Sequence, residues 1–308
     1  MSLVTTAAAH INDIIHTVFN HSDAHNAVVV FDTDCELSLV LSEAYRACLP
    51  AATFINFNQS TPDAVLATLA PLVAHDLVVL IQSTSFRLEA FRIRVELFKR
   101  QLKVIEHPHL ARMQGEQVGY YIDALAYDSN YYRGVGRSLK ALIDDAPHGV
   151  IDSGGEFLTY ASPFESAKLN IGDYTDMTNI GGQFPIGEVF TEAQDLTAVN
   201  GRVRIFVFGD TNFRVNQPAT PITLIISGGQ VVDAENSTAE FDQVLTNIRA
   251  DEGVVSLREL GFGMNRAFSK TRTVSDIGTY ERMCGIHLSL GAKHGIYSKA
   301  GFKRGDGK

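Results

Sequence analysis

The length, composition and charge of the chain are those of an ordinary globular protein. It has 308 residues, 45% of them hydrophobic and 20% charged, so two domains with substantial cores are expected. The net charge of −9 argues against nucleic-acid binding, which needs clustered Lys and Arg. No apolar run reaches the ~18 residues of a membrane span, and Met1–His10 lacks the pattern of a secretory signal. Three widely spaced cysteines favour a reducing compartment, so we expect a cytoplasmic protein without a membrane partner.

The first half of the chain alternates short apolar runs with amphipathic segments. Strands are predicted at Asn26–Phe31, Ala52–Phe57, Asp76–Ile81 and Leu102–Ile105. Helices are predicted at Glu36–Cys48, Asp63–Val73 and Arg87–Arg100. This alternation predicts a mainly parallel sheet covered by helices. His107 and His109 lack acidic partners in the sequence and are predicted to be loop residues.

The second half has the pattern of an α+β domain. A helix over Tyr131–Asp144 and a turn over Gly149–Gly155 precede short alternating strands that glycine turns separate. These strands are predicted at Phe157–Tyr160, Lys168–Ile171, Arg202–Phe208, Ile222–Ile226 and Gln230–Val232. Further helices are predicted at Ser237–Asp251 and Ile277–Leu290. The fold class is therefore α/β, with an N-terminal mainly parallel sheet domain (1–130) followed by an α+β metal-site domain (131–308).

Three side chains in the second half are of the types that bind metal ions. Glu188 follows the Pro185–Gly187 turn, Glu259 lies in an apolar and glycine-containing stretch, and His287 lies in the last predicted helix. Carboxylate and imidazole groups are ligands of zinc and similar divalent cations. Each residue also has an ordinary interpretation. Glu188 can cap a helix or loop, Glu259 can pair with Arg258, and His287 can be a core histidine.

Three segments around these residues resemble motifs of the aminopeptidase T/aminopeptidase S family of metallopeptidases, which includes dihydroxypyridine ring-cleaving dioxygenases. Asn179–Thr191 is similar to the family's N-x-P-x-G-E-V-F-T motif. Leu257–Asn265 is similar to E-x-G-x-G-x-N. Tyr280–Gly291 is similar to F-D-E-N-x-x-x-H-x-A-L-G, with Met283 in place of the asparagine. The three motifs occur in the family's order, and the resemblance extends more weakly from about residue 132 to the end of the chain.

The resemblance implies a site in which Glu188, Glu259 and His287 bind a divalent metal ion such as Zn, Co or Mn. It implies removal of N-terminal residues from small peptides by metal-activated water, with Glu259, or alternatively Glu188, as a candidate catalytic base in place of a ligand. His294 and Tyr297 fall near the family's catalytic tyrosine, so either is a candidate to orient substrate or stabilise an oxyanion. The resemblance also implies a homodimer.

The chain departs from the family in the final part of the site. The family completes its ligand set with a C-terminal His-x-Asp pair, which does not occur between His287 and Lys308. Three ligands with an open position for water still suit a hydrolase, which is the favoured function. One alternative is a ring-cleaving dioxygenase of the dihydroxypyridine type, which needs two histidines and an aspartate around Fe. Another is a catalytically silent binding member of the family, or a chain whose remaining ligands lie beyond Lys308.

Overall fold

The computed structural model describes residues 2–88, 91–175 and 177–291. Its α-helices are α1 (Leu3–Asp13), α2 (Glu36–Cys48), α3 (Pro62–Leu69), α4 (Ile93–Lys99), α5 (Glu116–Ala124), α6 (Ser129–Asp145), α7 (Ala239–Glu252) and α8 (Ile277–Tyr280). Its strands are β1 (Ala27–Phe31), β2 (Thr53–Asn56), β3 (Leu77–Ile81), β4 (Arg87–Leu88), β5 (Phe91–Arg92), β6 (Lys103–His107), β7 (Gly149–Asp152), β8 (Phe157–Tyr160), β9 (Lys168–Asn170), β10 (Ile180–Gln183), β11 (Glu188–Glu192), β12 (Val199–Ile205), β13 (Phe208–Gly209), β14 (Val215–Asn216), β15 (Ile222–Ser227), β16 (Gln230–Glu235), β17 (Leu257–Gly263) and β18 (Gly285–Leu290). Within the described residues, no helix is long and apolar enough to cross a membrane.

Five parallel strands form one sheet in the order β10-β6-β3-β1-β2. Parallel neighbours need crossover connections, and α2, α3 and α4 lie between the successive strands β1, β2, β3 and β6. Strand β3, Leu-Val-Val-Leu-Ile, is buried along its whole length, as expected for a strand in a helix-covered parallel sheet. Residues of α3 and α4 pack with alternate residues of β1 and β3 in one apolar cluster. The predicted parallel arrangement is confirmed.

Two antiparallel sheets come mainly from the second half of the chain. One has the order β16-β15-β12-β8-β7 and the other the order β18-β17-β11-β9. In β8, exposed and buried residues alternate, which is the pattern of a strand with one face on the core. A parallel sheet combined with antiparallel sheets confirms the predicted α/β fold class.

The chain forms two compact units. The first holds the parallel sheet and consists of Met1–Gly134, Asn170–Gly187 and Asn265–Met283. The second holds β11, β17, β18 and the five-stranded antiparallel sheet, and consists of Val135–Leu169, Glu188–Met264 and Cys284–Lys308. The chain therefore passes between the units more than once. The sequence-based domains 1–130 and 131–308 stay a prediction.

Three predicted elements are correct only in part. The helix predicted at Arg87–Arg100 begins only at Ile93, after the hairpin of β4 and β5. The turn predicted at Gly149–Gly155 begins with strand β7, because Val150 and Ile151 pair with β8, and the turn is confined to the residues after Asp152. The helix predicted at Ile277–Leu290 ends at Tyr280, and strand β18 follows. In β18, His287 alternates with apolar neighbours, and this two-residue period fits a strand paired with β17.

The predicted loop position of His107 is also wrong. This residue ends β6 and is completely buried. Its two ring nitrogens lie 2.9 Å from the hydroxyl of Tyr45 and 2.8 Å from that of Tyr121. Burial lowers the pKa of His107 to about 3, because a protonated ring at this position would be a cation without contact with water. We therefore assign His107 as a neutral core residue of the parallel-sheet unit.

The buried carboxylate of Asp76 joins the beginning of β3 to two other segments. It accepts hydrogen bonds from the backbone N–H groups of Asn26 at 2.8 Å and Val73 at 2.9 Å. Burial works to raise the pKa of Asp76, but the hydrogen bonds from Val73 and Asn26 lower it, and the resulting pKa lies below the ordinary 3.8. The ionised form of Asp76 therefore stabilises the fold.

Replacing Asp76 by asparagine is expected to lower the free energy of unfolding by about 2 kcal/mol at pH 7. The pKa of Asp76 is lower in the folded protein than its ordinary value of 3.8. The ionised carboxylate therefore stabilises the fold fully at pH values above 3.8, and this contribution is lost as the pH falls through the pKa of Asp76 in the folded protein. Urea unfolding of wild type and Asp76→Asn should show a difference that shrinks in acid. Asp23→Asn is the matched control, because Asp23 is exposed. A difference that does not change with pH would contradict the assignment.

Candidate metal centre

Glu188, Glu259 and His287 lie on the three neighbouring strands β11, β17 and β18. In the strand pairing, Glu188 faces Gly263 and His287 faces Gly261. Residues two apart on a strand point to the same face of a sheet. Glu259, Gly261 and Gly263 are spaced in this way along β17. The three predicted ligands therefore share one face, and the structure brings them together.

The distances between the ligand atoms suit one metal ion. Nε2 of His287 lies 3.0 Å from Oε1 of Glu188 and 3.9 Å from Oε1 of Glu259. One donor atom from each residue lies within 4.8 Å of the others. Two ligands of a tetrahedral zinc ion lie about 3.4 Å apart, since each bond is ~2.1 Å long. The group can therefore hold a divalent cation after small side-chain adjustments.

The site combines a buried carboxylate with two partly accessible groups. The side chain of Glu188 is 6% exposed, and those of Glu259 and His287 are each 16% exposed. Two carboxylates in a poorly solvated site repel each other, and a cation between them offsets this repulsion. The side chains of Glu259 and His287 keep some exposure, although both ring nitrogens of His287 are buried. The arrangement thus has the negative charge that favours a bound cation.

Gly261 provides the space in which the imidazole of His287 lies. A Cβ atom at Gly261 would be only 1.9 Å from Nε2 of His287, far inside van der Waals contact. The ring therefore lies directly over the backbone of β17, and only glycine permits this position. The sequence shows this glycine in the pattern Glu-x-Gly-x-Gly. The pattern alone does not indicate that a histidine ring needs the space, because that depends on which residue lies opposite Gly261 in the sheet.

The ordinary interpretations of the three ligands are modified by the structure. Glu188 begins strand β11, and its carboxylate contacts His287. Arg258 pairs with Glu192 at 3.4 Å, a partner that the sequence did not indicate. His287 lies in a strand and not in the predicted helix.

His294 and Tyr297 lie outside the described residues, so their roles stay predictions.

Comparison with known proteins identifies a shared fold. No protein-family profile matches this chain, and no curated protein matches it. The solved structure of wild-type AmpT from Thermus thermophilus matches with a TM-score of 0.58 over 97% of this chain and 88% of that chain. The two sequences are 14% identical. The likeness supports an aminopeptidase-like fold and, at this identity, shows the fold alone.

The variant Gly261→Ala is expected to weaken metal binding while leaving the protein folded. The added methyl group requires the His287 ring to rotate away from Glu188, and displaced ligands typically cost about tenfold or more in metal affinity. Gly182→Ala is the matched control, because Gly182 also lies in a strand but has open space around its Cβ position. Zinc titration and thermal unfolding of both variants provide the measurement. Equal zinc affinity in the two variants would contradict the proposed position of the ring.

Proposed function

We propose that the protein is a metal-dependent hydrolase that removes N-terminal residues from small peptides. The observation that carries the proposal is the convergence of Glu188, Glu259 and His287 on one sheet face, with donor atoms within 4.8 Å of one another. The aminopeptidase-like fold shared with AmpT supports it. A mixed set of carboxylate and imidazole donors suits Zn, Co or Mn.

The geometry suggests different roles for the two glutamates. We assign Glu188 and His287 as anchoring ligands, because their donor atoms are closest together, at 3.0 Å. Glu259 lies 3.9 Å from the same imidazole nitrogen and is more exposed than Glu188. Its carboxylate is therefore better placed to reach a water molecule as well as a metal ion.

The proposed reaction is the addition of water to a peptide carbonyl. A divalent ion bound here supplies Lewis-acid chemistry, which acidifies water and polarises the carbonyl group. A carboxylate oxygen of Glu259 accepts the proton of the attacking water and returns it to the leaving amine. Glu188 and His287 hold their positions through β11 and β18. The roles of His294 and Tyr297 in orienting substrate, the homodimer and the cytoplasmic location are part of the proposal.

Peptide cleavage is expected to require metal and the carboxylate of Glu259. A chelator should abolish the release of N-terminal residues from small peptides, and Zn, Co or Mn should restore it. With saturating metal, Glu259→Gln should lower kcat/KM by about 100-fold or more, since the proton acceptor is lost. His287→Ala should instead lower the metal content of the purified protein.

Glu240→Gln is the matched control for Glu259→Gln, because Glu240 is an exposed glutamate of the same unit. Cleavage that resists the chelator, or full activity of Glu259→Gln, would overturn the proposal. Iron binding with oxygen consumption in the presence of a dihydroxylated ring would indicate the dioxygenase. Metal binding without either reaction would indicate a catalytically silent protein.

A further inference from the structure

A buried asparagine lies close in sequence to the three strands of the candidate metal centre. Asn265 is 1% exposed, and its Nδ2 donates hydrogen bonds to the carbonyl oxygens of Ala124 at 2.8 Å and Ile186 at 3.1 Å. Its Oδ1 accepts a hydrogen bond from the N–H of Ala267 at 3.1 Å, and its own backbone N–H donates to the carbonyl oxygen of Arg282 at 2.7 Å. Two carbonyl acceptors and one N–H donor fit the side-chain amide in one orientation only. All of these residues belong to the first compact unit.

Three of the hydrogen-bonded segments continue into the strands that carry the metal ligands. Ile186 lies just before β11, Asn265 just after β17 and Arg282 just before β18. Because the strands are antiparallel, the beginnings of β11 and β18 and the end of β17 meet at one edge of their sheet, where Gly263 pairs with the first residue of each neighbour. Asn265 therefore joins the chain segments from which all three ligand-bearing strands extend.

The residues of the strands themselves specify this alignment weakly. Strand β17 contains Gly261 and Gly263, β18 begins with Gly285, and Gly187 precedes β11. Glycine-rich strands are prone to slip in register, because they have few side chains to pack. A larger residue cannot replace the glycine at position 261, because the ring of His287 occupies its space. The space that this ligand needs thus removes side chains that would otherwise hold the register.

We propose that Asn265 is a positioning residue that aligns the three ligand-bearing strands and so sets the geometry of the metal centre. Its amide supplies two donors and one acceptor, a combination that no other side chain of this size offers. The groups of a binding site must be held within about 0.5 Å of their working positions, so a small shift of Ile186 or Arg282 matters for the ligand that follows each of them. The inference rests on the proposed metal-dependent function and deepens it.

The variant Asn265→Leu tests the proposal, because leucine has a similar size and lacks the amide. Metal-free protein titrated with Zn²⁺ is expected to bind the ion roughly tenfold or more weakly than wild type does, as when a group that orients a ligand is lost. The visible absorption of bound Co²⁺, which reports the arrangement of its ligands, is expected to change. Both measurements are made at a temperature at which circular dichroism shows the variant to be folded.

Asp76→Asn is the matched control for a loss of stability alone. Asp76 is buried in the same unit and also binds backbone N–H groups, but its partners Asn26 and Val73 do not adjoin a ligand-bearing strand in the sequence. This control is expected to keep the Zn²⁺ affinity and the Co²⁺ spectrum of wild type. An equal loss of Zn²⁺ affinity in the two variants, or wild-type affinity in Asn265→Leu, would overturn the proposal.

The variant Asn265→Ser keeps a hydroxyl group that can donate one hydrogen bond. Its Zn²⁺ affinity is expected to lie between those of wild type and Asn265→Leu. Where only the serine variant folds, wild-type Zn²⁺ affinity in that variant would contradict the proposal. Failure of both variants to fold would also contradict it, because Asn265 would then be required for the whole fold and not for the ligand positions.

Failure of the proposed hydrolase is distinguishable from failure of this inference. A wild-type protein that binds Zn²⁺ but cleaves no peptide, together with weakened binding by Asn265→Leu, would refute the hydrolase and leave the role of Asn265 standing. The absence of binding of Zn²⁺, Co²⁺ or Mn²⁺ by wild type would refute both.

Discussion

Strand β17 determines the candidate metal centre through the alternation of its side chains. The side chain of Glu259 lies on one face of the sheet, and the two glycines leave that face open along β17. Strand β11 places Glu188 on this face from one side, and β18 places His287 on it from the other. A one-residue slip of either flanking strand would turn its ligand to the opposite face. The arrangement also needs a residue without a side chain at Gly261, because the imidazole occupies that space.

Local sequence patterns account for much of the fold and for the identity of the ligands, but not for their geometry. Runs such as Ala27–Phe31 and Leu77–Ile81 indicated buried parallel strands because their residues are apolar and mostly β-branched. The sequence pattern of Ile277–Leu290 predicts one helix, because its apolar residues fit a helical spacing in part. Its second half is a strand only through pairing with β17, a long-range contact that no local pattern contains.

The buried pair of Arg258 and Glu192 shows the same limit at the level of one side chain. Adjacent residues suggested an ion pair between Arg258 and Glu259. The partner in the structure comes from β11, 66 positions earlier in the chain. The pair therefore depends on a long-range contact between β11 and β17, which the residues around Arg258 in the sequence do not contain.

The proposed metal ion would also link the abundance of the protein to the supply of that ion, through the convergence of two carboxylates and an imidazole. In the metal-free chain the carboxylates of Glu188 and Glu259 repel each other, and an unfolded chain does not hold them together. An ion that binds only the folded form stabilises it by about 2.7 kcal/mol at a free concentration 100 times its Kd. A difference of this size changes the unfolded fraction on which cellular proteases act. A cell deprived of the ion would then lose the protein itself as well as the proposed reaction.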